Sequence, residues 1–210
     1  MTTDDYIAAH IDAEPEALHA LYRRTHLRHL YPRMCSGHVQ GRLLKMLAAM
    51  IAPRRILELG TYTGYSTLCF AEGMPAGCTI DTVEIDDQME DELLATFAAD
   101  PRAADIHLHI GDALEVVPGL TGQWDMVFID ANKRLYRRYL DMCLERVEVG
   151  GFIIADNTLW DGHLLLAADT AHDAQSRALA DFNDYVAAHP ALEKVILPVR
   201  DGMTIMRRVR

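Results

Sequence analysis

The sequence lacks several features that would narrow its function at once. Its four cysteines, Cys35, Cys69, Cys78 and Cys143, are widely spaced and form no Cys-x-x-Cys pair, which excludes the common zinc and redox motifs. They read as reduced, mostly buried thiols. No apolar run is long enough to span a bilayer, and Met1 to His10 carry acidic groups instead of an apolar core, so neither a membrane segment nor a secretory leader is expected. A cytoplasmic location follows as the default. Positive charge is scarce: 20 Lys and Arg against 31 Asp and Glu leave a formal net charge of −11. A nucleic-acid surface needs a basic patch, and the arginines here are scattered, so nucleic acid is not an expected partner. The cluster Arg207, Arg208 and Arg210 reads as a solvated tail. Internal repeats, low-complexity tracts and Gly/Ser linkers are also missing. A chain of 210 residues buries a core without disulfides or a structural metal, and residues 1–210 are expected to form one domain.

What is present is alternation. Short runs rich in Ile, Val and Phe, at Arg55 to Leu59, Thr79 to Ile85, Ile106 to Ile110, Met126 to Ile129 and Phe152 to Ala155, are separated by helical patterns at Tyr65 to Glu72, Gln88 to Ala98 and Lys133 to Arg146. This order predicts an α/β fold with a parallel sheet covered by helices. After a helix from about Ala171 to Ala188, strands near Val195 to Pro198 and Thr204 to Arg208 flank Asp201-Gly202, a hairpin dipeptide, so the sheet should end in an antiparallel pair. Before the first strand, helical patterns at about Pro15 to Leu30 and Gly37 to Ala52 are broken at Pro32. Residues 1–52 are thus expected to form a helical cover over one mouth of the sheet, as part of a substrate pocket or a dimer surface, and residues 53–210 the core.

The run Ile56-Leu57-Glu58-Leu59-Gly60-Thr61-Tyr62-Thr63-Gly64-Tyr65-Ser66 is a strand, a tight turn and a helix start. At the carboxyl end of the first strand of an open α/β sheet, glycines let the backbone approach a nucleotide and the helix N-terminus offers free N–H groups. The spacing is neither Gly-x-Gly-x-x-Gly nor a P-loop. Glu84, ending the next strand, is placed to accept hydrogen bonds from two ribose hydroxyls; a strand-end surface carboxylate is the plainer reading. In Gly111-Asp112-Ala113, Asp112 is either an adenine contact or a helix N-cap, and the two roles are compatible.

These residues carry a resemblance. Glu58 to Ser66 resembles the cofactor motif of the catechol and caffeoyl-coenzyme A O-methyltransferases, in which a Tyr stands where many methyltransferases have a middle Gly. The likeness continues through Glu84, Gly111-Asp112-Ala113, Asp130-Ala131-Asn132-Lys133, Asp156-Asn157-Thr158-Leu159-Trp160 and Leu197 to Gly202, and covers nearly all of the chain from Met34 onward. It implies a Rossmann-like, seven-stranded methyltransferase sheet with helices on both faces, S-adenosylmethionine as cofactor, and a homodimer. It also implies a cofactor-binding set of Met34, Glu58, Gly60, Tyr62, Tyr65, Ser66, Glu84, Asp112, Ala113 and Asp130. Within that set Ser66 would hold the methionine carboxylate, Glu84 the ribose, and Asp112-Ala113 the adenine.

Two apolar strands end in oxygen donors, one in Asp130 and the other in Asp156-Asn157. If the strands are parallel neighbours, roughly 4.8 Å apart, these three form a metal site, and oxygen-only ligands favour Mg²⁺, Mn²⁺ or Ca²⁺ over zinc. The plain reading of each is a loop or turn residue. A cation suits methyl transfer to a phenol, whose proton titrates near 10: it lowers that pKa, and two vicinal hydroxyls chelating it are held in line with the methyl group. By resemblance Lys133 is the general base; otherwise it is a solvated helix lysine. Trp160 is either an apolar wall for a substrate ring or a core residue. The plant coenzyme A branch commonly reads Asp-Ala-Asp-Lys, so Asn132 keeps an oxygen and loses a charge. Arg23, Arg24, Arg28 and Arg33 are candidate anion contacts in the N-terminal region. The expected activity is therefore O-methylation of a catechol-like small molecule. A methyltransferase of another acceptor, such as a tRNA base, and a non-catalytic adenosine-binding module remain the alternatives.

Overall fold

The computed structural model describes residues 2–165 and 173–210. Its centre is one seven-stranded sheet in the order β3-β2-β1-β4-β5-β7-β6. The strands are β1 Arg55–Leu59, β2 Thr79–Glu84, β3 Ile106–Ile110, β4 Trp124–Ile129, β5 Val147–Asp156, β6 Leu192–Leu197 and β7 Met203–Arg208. β1 to β5 are mutually parallel, and β7 runs antiparallel to both β5 and β6. The apolar runs are nearly continuous because both faces are buried. Ile56, Ile80, Met126, Phe128 and Ile154 pack into one core, and Leu57, Leu59, Val127, Ile129 and Ile153 into another on the opposite face.

The helices are α1 Thr3–Ala9, α2 Glu16–Arg28, α3 Gly37–Ile51, α4 Tyr65–Gly73, α5 Glu90–Ala98, α6 Ala113–Gly119, α7 Tyr136–Leu144 and α8 Ala174–Ala188. Leu18, Leu21, Leu44 and Leu47 bring α2 and α3 into the first core, while Val117, Leu140 and Phe182 bring α6, α7 and α8 into the second. Among the described residues, no helix is long and apolar enough to cross a membrane.

Several boundaries differ from the sequence reading for local reasons. α1 forms on a capping box between Thr2 and Asp5 in a segment without apolar periodicity. α6 is short and carries Pro118, so it leaves little helical pattern. The segment from Lys133 is not one helix: a 3₁₀ turn, Lys133–Leu135, precedes α7. β5 begins five residues before Phe152, its first part masked in the pattern by Gly150 and Gly151. α8 begins at Ala174, where Asp173 caps it, and the expected start at residues 171–172 lies outside the described residues. Asp201-Gly202 does not form a two-residue hairpin. β6 and β7 are joined through residues 198–202, closed by Gly202 N–H donating to Val199 O at 2.9 Å.

β1 is the pivot of the sheet, with β2 on one side and β4 on the other, and the order of connection reverses between β1 and β4. A crevice opens above such a switch point. Gly60 sits there at φ +96°, and a Cβ at that position would lie 2.1 Å from the Asp130 carbonyl oxygen. Only glycine permits this approach. We expect Gly60→Ala to destabilise the fold by roughly 2–4 kcal/mol through strain and displaced backbone. Urea unfolding checks this, and an unchanged midpoint would contradict the packing described.

Candidate functional site

A cavity of about 890 Å³ opens at the carboxyl ends of the parallel strands, bounded by the turns after β1 to β5, by residues 30–36 between α2 and α3, and by Arg200. Gly60, Tyr62, Tyr65 and Ser66 line it from the β1 turn, Glu84 from β2, and Gly111 and Ala113 from the turn after β3. Asp130, Lys133, Asp156, Asn157 and Trp160 line the other side, and Met34 stands at the N-terminal wall. Backbone strain collects here. Among the described residues, the non-glycine positions at positive φ are Ala52, Tyr62, Asn157, Trp160 and Arg200, and all but Ala52 line the cavity. Such conformations cost about 1–3 kcal/mol each and concentrate at functional sites.

On the β1–β2 side, Gly64 at φ +84° opens α4 with no side-chain cap, which leaves its first N–H groups free to meet an anion. Glu84 is held by two backbone donors: Tyr62 N–H reaches Oε2 at 2.7 Å and Asp86 N–H reaches Oε1 at 3.0 Å. It is thus a buried, fixed carboxylate on the cavity wall and not a loose surface one.

Glu58 and Asp112 differ from the expectation of direct ligand contact. Glu58 is fully buried and does not line the cavity. It accepts from Ser66 Oγ and Thr82 Oγ1, each at 2.6 Å, and from Thr67 Oγ1. The Ser66 hydroxyl proton is therefore directed away from the cavity, and Ser66 offers a ligand its backbone N–H. Asp112 caps α6 by accepting from Leu114 N–H at 2.8 Å and leaves the cavity wall to Gly111 and Ala113. Of the four arginines considered in the N-terminal region, only Arg33 lines the cavity; Arg24 is committed to Glu92 and Thr96.

On the other side, β4 and β5 are parallel neighbours with Ile129 opposite Ala155, so Asp130 and Asp156 leave adjacent strand ends. Lys133 Nζ donates to Asp130 Oδ1 at 2.5 Å and to Tyr136 Oη at 2.8 Å. Tyr136 Oη in turn lies 3.1 Å from Asp156 O and 3.2 Å from Ile129 O, which fastens the two strand ends together. Burial, and then the neighbouring Asp130 charge, push the Asp156 carboxyl up. Among the described residues no group of three or more His, Cys, Asp and Glu side chains forms a metal cage. The set here is instead two carboxylates and the Asn157 amide. It suits a hard divalent cation by donor type, and by the uncomfortable proximity of two carboxylates that a cation would relieve.

Three residues at this site escaped sequence reasoning: Tyr136, Gln40 and Arg200. Gln40 left a signal, a polar residue four, seven and eight positions before Leu44, Leu47 and Ala48 on the apolar face of α3. Arg200 fell within the Leu197 to Gly202 run of the resemblance but was given no role there, and Tyr136 left no signal, since the importance of both depends on tertiary hydrogen bonds.

The family model described as O-methyltransferase matches residues 8–209. The chain is 34% identical over 207 residues to caffeoyl-CoA O-methyltransferase 1 of Zea mays, an alignment covering 94% of this chain and 80% of that protein. It is 33% identical to caffeoyl-CoA O-methyltransferase 5 of Nicotiana tabacum, with 93% and 85% covered. Among solved structures, the O-methyltransferase TomG from Streptomyces achromogenes in complex with SAM superposes with a TM-score of 0.89 at 26% identity, covering 99% of this chain and 96% of that one. The SAH-bound methyltransferase from Podospora anserina gives 0.87 at 27%, with 98% and 93% covered.

Burial pushes the Glu58 carboxyl up from its ordinary 4.5 to about 7 against the pull of its three hydroxyl donors. The folded state thus holds a proton that the unfolded chain releases between those values. Glu58 contributes stability below pH 4.5, and that contribution, roughly 3 kcal/mol, is lost as pH rises through 7. Urea unfolding between pH 5 and pH 8 is expected to show this decline, and Glu58→Gln to remove most of it. An equal decline in Glu58→Gln would contradict the assignment.

Proposed function

Since the chain belongs to the O-methyltransferase family and is an S-adenosylmethionine-dependent enzyme, we propose that it methylates one hydroxyl of a catechol-like small molecule with the help of a divalent cation. One observation carries the reading: the Gly60 turn touches the Asp130 backbone, so the cofactor crevice and the oxygen-donor cluster are the same cavity.

In this reading the free N–H groups at the start of α4 hold the methionine carboxylate, Glu84 accepts from the ribose hydroxyls, and Gly111 and Ala113 form the adenine wall. Asp130, Asp156 and Asn157 hold the cation, with Mg²⁺ first and Mn²⁺ or Ca²⁺ as substitutes. When bound, it lowers the pKa of a chelating hydroxyl and fixes its direction. We assign Lys133 as the general base from its position: Nζ lies 2.5 Å from Asp130 Oδ1, beside any acceptor oxygen on a cation held there. With that carboxylate taken over by a cation, Nζ would lose its proton to solvent more readily, leaving the amine free to accept the phenolic one. Trp160, set at φ +49° by the turn after Asn157, supplies an apolar wall for the acceptor ring. Arg33 and Arg134, both on the cavity wall, suit an acceptor with an anionic tail. The family resemblance leads us to expect a homodimer, which light scattering tests, and the acidic charge and short apolar runs lead us to expect a cytoplasmic protein without nucleic-acid or membrane partners.

Mass spectrometry of caffeate incubated with the protein and S-adenosylmethionine is expected to show methylated product with added Mg²⁺ and none with excess chelator. Turnover that survives the chelator rejects the cation. Lys133→Ala is expected to lower kcat by about 100-fold or more while cofactor affinity holds; a parallel loss of both would make Lys133 structural.

A further inference from the structure

Arg200 lies in the loop between β6 and β7 at φ +48°. Its guanidinium donates to Arg33 O at 3.0 Å, Cys35 O at 3.0 Å, Ser36 O at 2.5 Å and Gln40 Oε1 at 2.9 Å. Gln40, on α3, is 1% exposed and takes no part in the cavity wall. Its Nε2 donates to Asp156 Oδ2 at 2.5 Å. A guanidinium only donates and an ionised carboxylate only accepts, so one amide orientation alone satisfies both neighbours. Asn157 N–H donates to the other oxygen, Oδ1, at 2.8 Å. Each oxygen of Asp156 is thereby pinned by one donor, and the carboxylate plane is set.

We propose that Gln40 is a positioning residue: polarised and oriented by Arg200, it aims the Asp156 carboxylate at the divalent cation and couples that ligand to the acceptor-side wall at residues 33–36. The proposal rests on the cation reading above. A buried amide on the apolar face of a helix carries a desolvation cost that an apolar residue of similar shape avoids, and Gln40 offsets it with bonds whose far end is a cavity carboxylate. The same guanidinium that orients Gln40 also holds three carbonyls of the 33–36 segment, whose side chains line the cavity. A displacement of that wall therefore reaches Asp156 through three hydrogen bonds in series, wall to Arg200, Arg200 to Gln40 and Gln40 to Asp156.

Calorimetric titration of Mn²⁺ into the full chain saturated with S-adenosylhomocysteine tests this. Gln40→Met, similar in length and unable to hydrogen-bond, is expected to weaken Mn²⁺ binding about tenfold, the usual effect of removing a ligand's outer partner. S-adenosylhomocysteine affinity should not change. Arg200→Met is expected to weaken Mn²⁺ binding by a similar factor and to raise the caffeate KM, with Arg200→Lys intermediate. Because the two residues act in series, the double variant should bind Mn²⁺ no more weakly than Gln40→Met. Unchanged Mn²⁺ affinity in Gln40→Met, or losses that multiply in the double variant, overturns the proposal. If Gln40→Met does not fold, Arg200→Lys decides the matter, and wild-type affinity there overturns it. An unaltered chain that binds no Mn²⁺ at all rejects the cation reading itself, and this role for Gln40 with it.

Discussion

The contact on which the site depends is between backbone atoms. With no side chain, Gly60 lets the Asp130 carbonyl oxygen occupy the place a Cβ would take. The approach is fixed from both sides, by Gly60 N–H donating to Val83 O at 3.0 Å and Asp130 N–H donating to Leu59 O at 2.9 Å. Three strand ends are thus drawn together at the point where the sheet's connectivity reverses. Residues of the β1–β2 side and of the β4–β5 side therefore line one cavity. The strained backbone at Tyr62, Asn157 and Trp160 lies on the walls of that crevice, where packing of the surrounding sheet holds conformations that would relax elsewhere.

Three buried carboxyls show how environment divides structural from chemical work. Burial pushes Asp81 up, but donors from Trp124, His109 and Arg55 together bring it below its ordinary range. These partners lie on β4, β3 and β1, so this carboxylate ties four strands together and stays charged. Glu58 has only hydroxyl donors and is pushed up to about 7; it braces the floor of the cofactor turn through Ser66, Thr67 and Thr82. Asp156 has an amide and a backbone donor, and faces the like charge of Asp130. The positive charge beside the pair, Lys133, is bonded to Asp130 and not to Asp156, so Asp156 keeps room for a cation, whereas Asp81 is satisfied by its own three donors.

The strand and turn pattern made the fold legible, because both-face burial leaves runs of Ile, Val and Phe that helices interrupt. β1 and β3 match their expected ranges to the residue, and the antiparallel end of the sheet appears as expected, though through a five-residue connection that Asp201-Gly202 alone did not reveal. The strand-end acids were legible for the same reason: a polar residue closing an apolar strand stands at the sheet's edge. What stayed hidden depends on which atom meets which. Glu58 reads as one motif residue among several, yet its carboxyl points under the turn; Asp112 and Ala113 are chain neighbours, yet only Ala113 faces the cavity. Gln40 and Arg200 are 160 residues apart and meet only in the folded chain.

The account's central claim is that methyl donor and cation share one crevice. Anomalous scattering at the manganese edge, from crystals grown with S-adenosylhomocysteine, Mn²⁺ and a catechol, tests it most directly. The account predicts one strong peak within about 2.0–2.6 Å of oxygens from Asp130, Asp156 and Asn157, with the catechol chelating it and the cofactor sulfur facing one hydroxyl. No peak there, or a catechol bound away from it, would contradict the account.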